Sequence, residues 1–284
     1  MIITEPGQPV GTSRTATVRL PSIVRVSLVR GIIEIKQFAR QREYVIFTFA
    51  LPIILLLLFG QIFHGEVDHT GVSFRQYFIA GIIASGLMST TFVGVGVSIG
   101  ADRDDGTLIR LAGTPLPPAA YFAGKAILAF VTSAGEVAAA LATGVALLGL
   151  HLPTTPARWF TLGWVLVLGS VTCTLLGIAV GCLVRSTRSA FAVLNLPYLV
   201  LSFISGVYFV FARLPAGLQH IAAIFPLKWI CQGLRSAFLP DRLLAAEPAH
   251  SWEHGRIALV LGAWLAASLV VCVRSFRWQR RPDR

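Results

Sequence analysis

The chain has 284 residues, 55% hydrophobic and 13% charged, with a formal net charge of +11 and a mean hydropathy of +0.73. That is too little charge to cover a water-soluble domain of this length, which excludes a soluble enzyme or binding module. No RNA- or DNA-binding motif accompanies the positive charge, so it reads as a membrane-topology signal and a contact for anionic lipid, with no nucleic acid as partner.

Residues 1–20 are polar and are expected to form a disordered cytoplasmic N-terminus. Over residues 21–43, Val24, Leu28, Ile32, Ile35 and Phe38 recur at helical spacing among Arg25, Lys36, Arg40 and Arg42. That pattern predicts an amphipathic helix lying in the membrane interface. Seven basic residues precede the first long apolar run. No early apolar segment leads to a small-residue cleavage site, so no cleavable signal peptide is expected. Crossing a hydrocarbon layer of about 30 Å takes about 20 apolar residues per helix. Runs of that kind fill residues 44–63, 77–101, 126–150, 159–184 and 189–212, and a shorter one lies at 257–273. They are continuous instead of alternating, which points to helices and not barrel strands. The expected fold is all-α with six transmembrane helices over residues 44–276, followed by a basic cytoplasmic tail at 277–284. Cys173, Cys182, Cys231 and Cys272 form no CxxC pair and are expected as free thiols.

Orientation follows from the basic residues. With six spans both termini share one side, and that side holds 17 of the 24 Lys and Arg. It is expected to be cytoplasmic, which makes the chain a multi-pass protein of a bacterial cytoplasmic (inner) membrane with both termini inside. The connection between spans five and six carries five basic residues, but long external segments count weakly in that rule.

Four places invite a functional reading. Between spans two and three, Asp102, Arg103, Asp104, Asp105, Gly106, Thr107, Leu108, Arg110 and Leu111 form a dense charge cluster. A short helix there would present Leu108 and Leu111 on one face, a surface for a soluble partner, with Asp105 at its rim or as its cap. Pro115, Pro117 and Pro118 end it. After span five, residues 214–238 are too interrupted by Pro215, His220, Pro226, Lys228 and Arg235 for a span, yet too apolar for a free loop. Half-depth backbone of this kind is tolerated only under a cover of protein or water. Glu136 lies about 15 Å into the third run at a rise of 1.5 Å per residue. It is either a substrate- or proton-binding group or an acid hydrogen-bonded to a neighbouring helix, and Asn195 in the fifth run is grouped with it as a candidate path residue. Finally, His64, Glu66, Asp68 and His69 cluster before span two and are read as solvated loop, so no metal is expected. The pairs Gly96-x-x-x-Gly100 and Gly177-x-x-x-Gly181 let helices approach closely, within one chain or across a dimer.

The stretch from Asp102 to Leu108 followed by Thr114-Pro115-Leu116 resembles a motif of the ABC-2 type transporter permeases, the family of daunorubicin-resistance-type drug exporters and of Nod-factor and polysaccharide exporters. Asp104 stands where that family usually has Glu. Ser205-Gly206-Val207-Tyr208-Phe209, Leu214-Pro215 and Phe225-Pro226-Leu227 leading to Leu234-Arg235 are similar to a second motif. There Phe209-Val210 replaces the usual aromatic-Pro step. The resemblance implies that the first loop couples to an ATPase subunit, and that Gly206, Leu214, Pro215, Pro226, Leu227 and Arg235 belong to a re-entrant external hairpin gating the exit. It also implies two ATPase copies and a second permease chain, identical or homologous, with ATP and magnesium bound by the ATPase. The only Gly-Lys, Gly124-Lys125, lacks the rest of a phosphate-binding loop, so this chain is expected to bind no cofactor and to be no enzyme. Two rival readings are an ion-coupled transporter resting on Glu136, and a CDP-alcohol phosphotransferase-like enzyme. The latter matches only the opening of its motif, Asp102-x-x-Asp105-Gly106-x-x-Ile109-Arg110, with Ala119, Ala123 and Ile127 where its remaining motif residues belong.

Overall fold

The computed structural model describes residues 22–67 and 70–275. The stretch expected to be a polar terminus, the basic tail at 277–284, and Asp68 and His69 of the histidine–acid cluster lie outside them. The described residues form no strand, only an isolated bridge between Glu66 and Ser73. The helices are α1 (Ile23–Arg40), α2 (Arg42–Ile62), α3 (Phe74–Met88), α4 (Val95–Asp104), α5 (Thr107–Ala112), α6 (Pro118–Leu148), α7 (Pro156–Leu183), α8 (Thr187–Ile204), α9 (Ala216–Ile224), α10 (Pro226–Phe238) and α11 (His254–Ser275). A π-helical turn, Ser89–Gly94, joins α3 to α4 without a break, so together they make one span. Six helices are long and apolar enough to cross a membrane, the number read from the sequence.

Local chemistry sets the boundaries. Pro118 and Pro156 occupy the first turns of α6 and α7, where a missing N–H costs nothing. Ser186 and Ser189 form a reciprocal capping box at the start of α8. Because these caps lie outside the apolar runs, α6 begins eight residues before the run at 126–150. Helices of 31 residues, α6 and the joined α3–α4, are about 46 Å long. They overhang the hydrocarbon at their ends.

The joined α3–α4 span is the centre of the molecule, packed by α2, α6, α7, α8 and α10. Small residues allow that. A Cβ on Gly177 would stand 2.5 Å from the Phe92 carbonyl oxygen, and one on Gly181 3.1 Å from the Gly96 Cα. Gly100 faces Ala190 and Thr187 of α8 in the same way. Both glycine pairs thus serve packing within the chain.

The fifth span, α8, ends at Ile204 instead of residue 212. Gly206 takes φ +80 and turns the chain back. Val207, Val210 and Phe211 are then buried by protein and not by lipid. Val210 adopts φ −66, the value a proline would impose, so the bend forms without one. α9 and α10 follow as a pair broken at Phe225. Every residue of α10 is buried, against α3, α7 and α11.

Candidate functional site

At the end of the bundle that carries α1 and α5, the acidic–arginine cluster is divided among different partners. The Tyr121 hydroxyl donates to Asp102 Oδ2 at 2.7 Å, and Lys125 Nζ lies 2.7 Å from the same oxygen. Lys125 also donates to Glu34 Oε2 at 3.0 Å, and Glu34 pairs with Arg30 on its own helix. A buried chain of charges therefore ties α1 to α6 and to the end of α4. Its cation sits within α6, about 10 Å from that helix's start, and not in the loop where the apolar run left it. Close packing brings the helices together: a Cβ on Gly31 would lie 2.8 Å from Ile127, and one on Gly124 2.5 Å from Arg30. The outer face of α1 keeps Val24, Leu28 and Ile32 more than half exposed.

Asp104 Oδ2 accepts from the Thr187 backbone N–H at 2.8 Å and hydroxyl at 2.7 Å, capping α8. Arg103 donates to the Val184 carbonyl. Gly106 holds φ +69 between α4 and α5, a region that L side chains avoid. Asp105 caps nothing through its side chain; its backbone carbonyl accepts from Arg110, whose guanidinium also reaches Thr107 at 2.9 Å. Leu108 is 2% exposed and faces inward, beside half-buried Leu111. The outward apolar residue of α5 is Ile109, at 62%. The short helix thus has an apolar side as expected, but Leu108 spends it on the chain's own core. Periodicity over six residues cannot say which side faces out.

At the opposite end, Arg235 is 1% exposed. It donates to Glu247 at 2.8 Å and to the Ser205 carbonyl at 3.4 Å, and lies 4.8 Å from the Tyr77 ring centroid. The Tyr77 hydroxyl accepts from the Phe211 N–H at 3.1 Å. One guanidinium therefore joins α10, α3, the turn after α8 and the approach to α11. Gly206 leaves room for it, since a Cβ there would meet Nη2 at 2.5 Å. Pro226 starts α10, Leu227 is fully buried, and Leu214 and Pro215 lead into α9 at the surface. Lys228 lies 3.5 Å from the Trp229 ring centroid and 3.9 Å from Glu253. Burial brings its pKa down to about 8, against the pull of Glu253.

Between these ends a cavity of about 190 Å³ opens among α2, α3, the π-helical turn, α6 and α8. Tyr44, Thr48, Ser85, Thr90, Tyr198 and Tyr208 contribute to its wall, with Glu136 at its back. Ser85 and Tyr198 share a hydrogen bond of 2.8 Å. Asn195 is half-buried one turn earlier on α8 and is not on that wall. The sequence singled out Glu136 and Arg235. It missed Glu34, Lys125, Tyr121, Tyr77 and Glu247, which become partners only through contacts between helices distant in the chain. The one available signal was a pair of opposite charges inside apolar patterns, Glu34 and Lys125.

Comparison with known proteins agrees with this architecture. The profile of the family described as "ABC-2 type transporter" matches residues 29–239. The chain is similar to the putative transport permease YvfS of Bacillus subtilis, 21% identical over 197 residues, covering 69% of this chain and 79% of that one. It is likewise similar to the inner membrane transport permease YadH of Escherichia coli K12, 22% identical over 212 residues, covering 72% and 80%. The match spans α1 to α10, including the loop at α5 and the turn at Gly206. The chain is a transport subunit of the membrane, made to partner an ATP-binding subunit, and belongs to the ABC-2 type transporter family.

Proposed function

We propose that this chain is the permease of an ATP-driven exporter in a bacterial inner membrane, moving a drug, lipid or other amphiphile outward while a separate subunit hydrolyses ATP. The observation that carries the reading is α5. It projects from the end of α4 with Asp105, Ile109 and Arg110 outward, while Leu108 is locked in the core and Asp102 in the buried charge chain. Such an element presents an apolar centre with a charged rim and cannot move without moving α4, α6 and α1. α5 and both termini lie on the cytoplasmic side, with α1 in the interface. α9 and α10 form the re-entrant hairpin that closes the external exit. Lys228 and Arg235 support this sidedness, because their charges are consumed in buried contacts and drop out of the topological count. Two permease chains and two ATPases, with ATP and magnesium on the latter, complete the working unit. As an enzyme, the chain would need Asp102 free for chemistry, but Lys125 and Tyr121 already hold that carboxylate.

The test is reconstitution with the cognate ATPase in liposomes. Asp105→Arg and Ile109→Asp are expected to lower ATP-driven export and stimulated ATPase activity at near-normal abundance. Glu66→Arg at the opposite end is expected to leave both unchanged. Wild-type export by both α5 variants would make the loop a mere linker.

A further inference from the structure

Three acidic side chains of the described residues are buried. Glu34 is met by Arg30 and Lys125, and Glu247 by Arg235. Glu136 has no such cation: its Oε2 is buried without a hydrogen-bond partner, although the residue is only 5% exposed. It stands about 27 Å along a helix about 46 Å long, at membrane depth, where an unpaired acid is costly and marks a pathway more often than a structural contact. The surroundings make room for it. A Cβ on Gly86 would stand 2.5 Å from Glu136 Oε1, so glycine at that place lets the carboxyl lie against α3. The π-helical turn starts three residues later, a widened turn frequent at functional sites. It brings Ser89 and Thr90 to the cavity wall. The remainder of the wall sets the hydroxyl groups of Tyr44, Thr48, Ser85, Tyr198 and Tyr208 beside the apolar Phe47, Leu51, Pro52, Leu55 and Ile82, and none of the lining residues is basic. At the mouth, Phe47 and Leu51 on α2 are more than half exposed.

We infer that this cavity is a binding site for the ammonium group of a cationic amphiphile, held by Glu136 and the surrounding tyrosines while its apolar body extends past α2. The chemistry is complementary at each point. A buried carboxyl lacking a cation takes an amine, aromatic faces attract the same charge, and the volume holds a head group and not a polymer chain. The inference rests on the export reading, because it names the class of cargo such a permease would carry.

The probe is tritiated 4-phenylbutylamine against its N-acetyl derivative, which keeps the shape and loses the charge. Binding is measured by scintillation proximity on the purified full chain in phosphatidylcholine nanodiscs, with empty discs subtracted. The wild-type chain is expected to bind the amine about tenfold or more tighter than the acetylated compound, the size of one charge-assisted hydrogen bond. Glu136→Gln is expected to abolish that preference while retaining the weaker acetylated binding, which also shows that the variant is folded. Gly86→Ala, which displaces the carboxyl, is expected to reduce the preference as well. Equal binding of the two compounds by the wild type, or an amine preference surviving in Glu136→Gln, overturns the inference. Coupled transport with the ATPase separates it from the export reading. Export of some cargo without amine preference sinks only the site, whereas amine preference without ATP-driven movement leaves the site standing and sinks the export reading.

Discussion

Arg235 keeps its charge at 1% exposure because Glu247, the Ser205 carbonyl and the Tyr77 ring all meet it. Removing one member of such a buried pair leaves the other uncompensated, at a cost of about 3–5 kcal/mol. Arg235→Ala and Glu247→Ala are each expected to lower the thermal unfolding midpoint of the purified chain clearly. The double variant should fall well short of the two losses combined, since it strands no charge. Additive losses would show that the two side chains act independently. Gly106 has a backbone constraint instead of a charge. Valine at φ +69 is strained by about 1–2 kcal/mol, too little to unfold the bundle but enough to misplace α5. Gly106→Val is expected to insert at normal abundance and to lose most ATP-coupled export in liposomes. Gly106 and Arg235 were both legible in the sequence. Glu247 was not, because nothing local distinguishes it from a solvated loop acid.

On the scale of elements, α1 is joined to the bundle by a glycine seam and by the charges between Glu34 and Asp102. Lys125→Met removes the shared cation and leaves Arg30 alone on Glu34. The expected result is faster amide hydrogen exchange over residues 23–40, together with weaker transport. Unchanged exchange would mean that the seam alone holds the helix. That residues 23–40 form a helix was readable from spacing, but which of its polar residues face the core was not. Glu34 is part of a charged pattern in sequence and is 4% exposed in the fold. The end of α8 was illegible for a related reason. Val207, Val210 and Phe211 are covered by protein, and hydropathy does not distinguish that cover from lipid.

For the whole molecule, the number and order of spans were legible because a bilayer demands long apolar helices. Sidedness is open to direct measurement. Ile109→Cys on α5 and Gly217→Cys on α9 are expected to react with an impermeant maleimide from opposite sides of the membrane, the second in intact cells and the first only after permeabilisation. The four native thiols are buried and should contribute little background. External labelling at residue 109 would reverse the assigned orientation. The central α3–α4 span carries Ser85, Ser89, Thr90, Thr91 and Ser98 and depends on α7, α8 and α10 for its cover. All three are synthesised after it. During biogenesis this helix must therefore wait beside the insertion machinery, or against α2, until its later neighbours emerge. Chains truncated before α7 should be recognised as orphan segments and degraded, however apolar their individual helices.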